Sequence, residues 1–437
     1  MCGVVAVLAV VSTFYPLNGK FDELNQKLQS SVADQRKLKQ LNDLNPNMPV
    51  IDPKTSEVKK LNQFPTEKVI AKGREVVGKV HSESEKLQAR ALAMNERKPL
   101  VLAALPKGSQ PALSAFKEAY YAGLEQMKLD LDATTVPTAE DVRKREDEIF
   151  KEQFEPLIKK FGDQEQNRQE VDAAFADAKL QLPRDMKVER AKTHTMYIMG
   201  EKQGSVPGTT ASFDYHPGIP SLEDNRPPDV HDVWAAQLGY WIQQDVVNAI
   251  KETNASVTPK DGKLTVEDAI IKRLNKTDIP KVYMTRTGPV AIDLAKNPQN
   301  VSSAQGQPAA ADDNAAGAIR SYGFSATGRV CNPSYDVMHF TVQVDADAQK
   351  FQTFMTNLTR GKFITILRVD VQGVDRQRIE QNAGYIYGKQ PVVRLWLKCE
   401  TIFFRSLTVD KDHPLMPVNV QKLLKIPQTP GAMAELR

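Results

Sequence analysis

The chain has 437 residues, 41% of them hydrophobic, which is enough for two or three domains with sizeable cores. Its 58 Lys and Arg against 54 Asp and Glu leave a net charge of +4, which gives no electrostatic case for a nucleic-acid partner. Three cysteines, Cys2, Cys331 and Cys399, are too few for a disulfide framework or a structural zinc centre.

Residues 1–19 contain no charged side chain. Val4, Val5, Val7, Leu8, Val10, Val11 and Phe14 make the segment strongly apolar, and Lys20, Asp22 and Glu23 end it. A bilayer core takes roughly 20 apolar residues, about 17 at the short end. The segment is therefore expected to be a transmembrane anchor, built on those seven residues. A signal peptide fits less well, because no Lys or Arg precedes Val4 and the cleavage pattern Val10-Val11-Ser12 is weak. A buried helix fits less well because Asn18 and a charge-rich run follow. The missing basic flank points to a natural start upstream of Met1.

Residues 20–45 read as a helix continuing the anchor. Phe21, Leu24 and Leu28 follow 3,4 spacing, and this stripe marks a short coiled-coil-like stalk whose apolar residues are candidate partner contacts. Asn45-Pro46-Asn47 stops it.

Residues 60–182 read as a helical region, with helices over 66–98, 111–130, from Thr138, and over 164–179. Leu113, Phe116, Tyr120, Leu124 and Met127 have near-ideal helical periodicity. Residues 190–286 form the first half of an α/β module. The Gly- and Pro-rich stretch 200–228 is loop, and Asp229 caps a helix whose stripe is Trp234, Leu238, Ile242, Val246 and Ile250. Strands are predicted over 269–275 and 280–286. Residues 287–334 are a low-complexity linker. Residues 335–404 form the second half of the module. There Met338, Phe340, Val342 and Val344 alternate with polar residues, a helix carries Phe351, Phe354, Met355 and Leu358, and strands follow over 363–371 and 393–403. Residues 405–437 are a Pro-containing tail. The predicted fold class is α+β: a membrane helix and helical stalk or bundle, then an α-β-β-α-β-β sheet of ferredoxin-like type.

Chemistry is hard to find in this chain. It has no P-loop, no G-x-S-x-G elbow, no H-E-x-x-H and no C-x-x-C. Its six histidines show no ligand spacing on a helix, so no catalytic residue, no metal and no cofactor is expected. His231, in the first turn of a helix, and His339, on the outer face of a strand, are the most plausible functional ones, each against a surface reading. The loop Phe213-Asp214-Tyr215-His216 is the most plausible binding surface, against a reading in which its aromatics pack on the domain.

One apolar helix, a coiled coil and a terminal α/β module resemble the inner-membrane assembly proteins of type IV pili and type II secretion, the PilO/PilN and GspL/GspM type. The resemblance rests on Met1–Leu17, Phe21–Leu41 and Tyr335–Phe404. It implies a non-enzymatic scaffold in the bacterial inner membrane, single-pass with a periplasmic body, in homo- or hetero-oligomers with other envelope proteins. An ectodomain that binds an envelope ligand or peptidoglycan is the alternative function.

Overall fold

The computed structural model describes residues 2–43, 50–51, 58–59, 67–161, 165–200, 209–259, 262–296, 326–409 and 414–426. The chain divides into two compact units, Met1–Lys86 and Leu87–Arg437.

In the first unit, α1 (Cys2–Asp43) is one continuous helix, and β1 (Val50–Ile51) pairs antiparallel with β2 (Val58–Lys59). The helix α2 (Glu67–Asn95) begins there. Two expectations are corrected here. Among the described residues, no helix is long and apolar enough to cross a membrane. The helix that carries Val4, Val5, Val7, Leu8, Val10, Val11 and Phe14 runs on without a break through Lys20, Asp22, Glu23 and Lys27. Its unbroken apolar run, Val4–Val11, covers about 12 Å at 1.5 Å per residue, against roughly 30 Å of hydrocarbon. The side chains of those anchor residues lie outside the described residues. With the anchor go the membrane partner, the inner-membrane location and the periplasmic body. The coiled-coil stalk is the second correction. Phe21, Leu24 and Leu28 are all more than 60% exposed, and their neighbours on α1 over residues 19–39 are exposed as well. Their stripe covers about two turns, short of the three to four heptads that sustain a coiled coil, and nothing identifies an envelope oligomer.

The second unit is built on one mixed sheet. In chain order its elements are α3 (Gln110–Asp130), β3 (Ala133–Thr134), α4 (Ala139–Ile149), α5 (Glu155–Phe161), α6 (Glu165–Thr193) and β4 (Met196–Ile198). There follow α7 (Val230–Ala255), β5 (Ile271–Asp278), β6 (Val282–Thr285), β7 (Gly288–Ala291), β8 (Tyr335–Asp347) and α8 (Phe351–Arg360). The last are β9 (Ile364–Gly373), α9 (Arg376–Ala383), β10 (Val392–Phe404), α10 (Arg405–Thr408) and α11 (Val418–Leu423). The strand order is β3-β4-β5-β8-β10-β9, with β6 and β7 as a side hairpin. The β3–β4 and β4–β5 pairs are parallel and the rest are antiparallel.

Side chains alternate across the pleat. On one face Val342, Val344 and Ala346 of β8 and Leu395, Leu397 and Cys399 of β10 are fully buried. The helix α7 covers this face. Its Trp234, Leu238, Ile242, Val246 and Ile250 are buried, and so is its far side, because α3 packs there with Phe116, Tyr120 and Leu124. Two amphipathic stripes thus become a helix layer on a helix-covered sheet, joined by hydrophobic burial. On the opposite face a smaller cluster of Tyr197, Val266, Tyr385, Tyr387 and Val392 covers one end of the sheet. Gly384 takes a left-handed φ of 74° at the end of α9 and turns the chain so that Tyr385 and Tyr387 reach the sheet.

The α+β character stands, but the ferredoxin-like α-β-β-α-β-β module is corrected. The expected symmetry of two halves fails at β6, which has four residues and meets β8 at one register pair, Tyr283 and Met338. The thirteen-residue β8 pairs with β10 along its whole length on one side and with β5 over Thr341–Ala346 on the other. The strands β3 and β4 then extend the sheet in parallel, and the path ends at β3 and β9 without closing. Residues 297–325, most of the expected linker, and 427–437, a third of the expected tail, lie outside the described residues.

Candidate functional site

The loop after β4 returns against β5 because small polar side chains replace strand pairing. Ser212 Oγ donates to the Leu274 carbonyl at 2.6 Å and accepts from the Met199 amide at 2.7 Å. The Thr277 amide donates to the Ser212 carbonyl at 2.8 Å. The amide side chain of Gln243 on α7 then clamps Asp214, accepting from its N–H at 2.8 Å and donating to its carbonyl at 3.1 Å. The Asp214 carboxylate accepts from the Ile279 amide at 3.0 Å and pairs with Lys281. Burial pushes its pKa above the ordinary carboxylate range, and Lys281 opposes that rise. The Tyr120 hydroxyl of α3 accepts from the His216 amide at 3.1 Å.

The loop so held forms one wall of a cleft of about 870 Å³. Tyr121, Phe213, Tyr215 and Ile219 give this wall its apolar character, and Tyr121 and Tyr215 stack with ring centroids 6.2 Å apart. The floor is polar: Arg273, Asn275 and Lys276 from β5, Gln343 from β8 and Arg394 from β10. They share a sheet face because Arg273, Asp345 and Arg394 are register partners, as are Lys276 and Gln343. Two irregularities in the β5–β8 pairing, after Ile271 and after Leu274, leave Lys272 and Asn275 as the unpaired extra residues.

Asp345 organises the floor. It is fully buried beneath Tyr387, whose hydroxyl donates to Oδ2 at 2.7 Å. Arg394 donates from Nε to Oδ1 at 2.7 Å and from Nη2 to Oδ2 at 3.0 Å. Arg273 Nη2 donates to Oδ2 at 2.7 Å and Asn275 Nδ2 to Oδ1 at 2.7 Å. Burial pushes the Asp345 carboxyl up, but the hydrogen bonds from Arg394 and the charge of Arg273 outweigh it and hold the group below the usual carboxylate range. The guanidinium of Arg273 also lies 4.1 Å from the Tyr385 ring centroid. One carboxylate between two guanidiniums leaves the floor with one positive charge in excess. The Lys276 ammonium lies 3.4 Å from Asp278, and Lys281 matches Asp214.

Behind the loop, His216, Asp232 and Asp293 bring three ligand-type atoms within 4.8 Å of one another. Their types would suit a divalent cation. The chain supplies its own cation, however. The Lys296 ammonium lies 2.5 Å from Asp232 Oδ1 and 3.4 Å from Asp293 Oδ1. His216 Nδ1 accepts from the Gly218 amide at 3.0 Å. Burial first, and then the Lys281 ammonium, hold the imidazole neutral down to about 4, against the pull of Asp232. The donor set fits a protein ammonium, and a metal ion would have to displace it.

The two histidines singled out in the sequence lie elsewhere. His231 Nδ1 meets its own helix cap, Asp229, at 2.7 Å. His339 Nε2 lies 3.5 Å from the buried Glu400, which also accepts from Thr327 and Arg329. The loop residues Phe213, Asp214, Tyr215 and His216 all line the cleft, with Phe213 and His216 also packed into the domain. Sequence reasoning missed Arg273, Asn275, Asp345 and Arg394. Their one signal was the run of polar residues inside predicted strands, which does not say which of them converge.

No protein-family model matches the chain, and no curated protein and no solved structure matches it either. The resemblance to pilus and secretion assembly proteins is therefore corrected, since the described residues show neither the membrane-crossing helix nor the sheet it was drawn from.

Proposed function

We propose that the second unit is a recognition domain that binds a small molecule in the cleft between the Phe213–His216 loop and the β5–β8–β10 floor. The observation that carries this reading is the facing of an aromatic wall, Tyr121 and Tyr215, by a pre-formed cationic floor, Arg273 and Arg394 locked on Asp345. A volume of about 870 Å³ falls within the range of ligand pockets. The excess positive charge favours a neutral or monoanionic ligand, and the stacked tyrosines favour a flat ring. The scaffold function expected from the sequence is set aside, because it depended on the membrane anchor.

Binding without turnover is the reading we favour. His216 has Nδ1 engaged by a backbone amide, and Asp214 is tied to Lys281 and to the Ile279 amide. Both acid/base groups of the loop are committed to structural partners, whereas a general base must reach its substrate's proton.

A thermal-shift screen of small aromatic acids and amides tests the proposal. Hits that raise the melting temperature of the wild type and lose their effect in Tyr215→Ala/Lys276→Ala support it. Hits that keep their full effect in that variant, or a diverse library without hits, count against it.

A further inference from the structure

The sheet face turned away from α7 is covered at two ends. At one, Tyr385 lies on Arg273 and Tyr387 bonds Asp345. At the other, Thr327 and Arg329 bond the buried Glu400. Between these ends β10 presents Arg394, Trp396 and Lys398, while the alternating Leu395 and Leu397 are buried in the core. All three presented residues are half-buried. Among the described residues Trp396 makes no ring contact, and its indole N–H makes no hydrogen bond.

Trp396 has a cation on either side. Same-face residues of a strand are about 7 Å apart, so Arg394 and Lys398 flank the indole symmetrically. Arg394 gives Nε and Nη2 to Asp345, which leaves Nη1 unengaged among the described residues. Lys398 has neither a hydrogen bond nor an ion pair among them, and its register partner on β9 is a second cation, Arg368. Like charges directly opposite each other destabilise a sheet, so the fold itself gains nothing from this pair. Burial, and then the charge of Arg368, push the Lys398 ammonium below its ordinary range. Arg368 is matched by Asp370, and Lys276 by Asp278. The unbalanced charges of this face are therefore the one in excess around Asp345 and the one at Lys398.

A ring between two cations matches one unit inside a nucleic-acid strand, a base with a phosphate before it and another after it. Single strands are held by stacking on aromatic side chains and by cations along the backbone. We propose that this face binds a single-stranded nucleic acid, with one base stacked on Trp396 and its flanking phosphates on Arg394 Nη1 and the Lys398 ammonium. A free mononucleotide brings one phosphate and satisfies one of the two cations. A duplex keeps its bases stacked inside, out of reach of the indole. The net charge of +4 does not bear on this, because the unbalanced cations are local. The proposal goes beyond the cleft reading and shares Arg394 with it.

The test uses the full chain and four probes: a thymidine octamer, thymidine monophosphate, a hairpin duplex and a glutamate octapeptide. Of the three tryptophans, Trp234 and Trp241 are 0% and 2% exposed, so quenching of tryptophan fluorescence reports on Trp396. The octamer is expected to quench it saturably and to bind more tightly than the other three probes. Two neutralised phosphates predict a slope of about −1.4 for log K against log salt, falling to about −0.7 in Lys398→Ala. Anisotropy of a labelled octamer is expected to show a loss of at least about fivefold in Trp396→Ala, and most of the affinity kept in Trp396→Phe. Should Trp396→Ala fail to fold, the quenching and the two salt slopes decide. Absent quenching at low salt, unchanged affinity in Trp396→Ala or an unchanged slope in Lys398→Ala overturns the proposal. So does a duplex or a glutamate octapeptide that binds as tightly as the octamer. A monophosphate that binds as tightly assigns the face to a free nucleotide and overturns the strand. If benzoate binds in the cleft while the octamer does not bind, the cleft reading stands and this proposal is wrong.

Discussion

Asp345 on β8 and Arg394 on β10 are direct register partners, and the guanidinium spans both carboxylate oxygens, with Nε at 2.7 Å and Nη2 at 3.0 Å. The pairing joins the fold to the site. The same carboxylate that ties two strands through their side chains also fixes Arg273 and Asn275 on the cleft floor.

Removing that charge should be costly. Asp345→Asn keeps the shape but leaves Arg273 buried without a counter-ion, and breaking one side of a buried pair costs about 3–5 kcal/mol. Chemical denaturation measures this directly. A loss below about 1 kcal/mol would mean that solvent reaches the pair freely. The pH dependence follows in sign. The folded carboxyl sits below its unfolded value, so its stabilisation is complete above the unfolded pKa of about 3.9 and is lost as pH falls through the folded one.

Lys272 should act in the opposite range. It is fully buried, donating to the Val266 and Glu267 carbonyls at 2.9 Å each. Burial lowers its pKa to about 8, against the pull of Asp347 and Glu267. Between about 8 and the unfolded value near 10.4, the unfolded chain holds the extra proton. Stability from this group therefore rises with pH across that window. The stability difference between wild type and Lys272→Met should change with pH only there. A difference constant from pH 7 to 11 would contradict the shift.

Gly218 packs directly on the Asp232 carboxylate. A Cβ at residue 218 would lie 2.1 Å from Asp232 Oδ1 and 2.2 Å from its Cγ. Gly218→Ala should displace Asp232 from Lys296 and cost about 1–3 kcal/mol, the range for overpacking. An alanine variant as stable as the wild type would show that this loop is loosely held.

Lys296 should make the His216, Asp232 and Asp293 cluster indifferent to metals. Mn²⁺ or Zn²⁺ added to the wild type is expected to leave the melting temperature unchanged, because the ammonium already lies between the carboxylates. Lys296→Met removes it, so that variant is expected to be less stable and to be restabilised by the ion as its concentration rises. A metal-dependent rise in the wild type would show that the ion outcompetes the lysine.

Much of the scaffold is written in periodicity. The 3,4 spacing of Leu113, Phe116, Tyr120, Leu124 and Met127 is the face α3 buries, and the i, i+4 run from Trp234 to Ile250 lies in α7. Thr138 and Asp141 close a capping box at the start of α4. Three features escaped. The strands β3 and β4 have two and three residues, too short to show a period, and exist through parallel pairing to β5. The helix expected over 164–179 ends before Pro183, yet α6 continues through that proline to Thr193. The strand expected over 269–275 carries no local sign that its polar residues are buried, but Tyr385 and Tyr387, about 110 residues later in the chain, lie on Arg273 and bond Asp345. That long-range covering turns Arg273, Asn275 and Asp345 from surface residues into a buried floor, and local pattern carries no trace of it. The apolar start of the chain misleads for the converse reason: a charge-free segment near the lower length limit for a span has an unbroken apolar run, Val4–Val11, of only eight residues.

The most direct measurement is NMR shift mapping on the full chain during a benzoate titration. The largest changes are expected at Tyr215, His216, Asn275, Lys276, Gln343 and Arg394, around a cleft that already has its bound shape. Saturating benzoate that leaves these residues unmoved, or that perturbs a different face of the protein, would contradict the cleft as the ligand site.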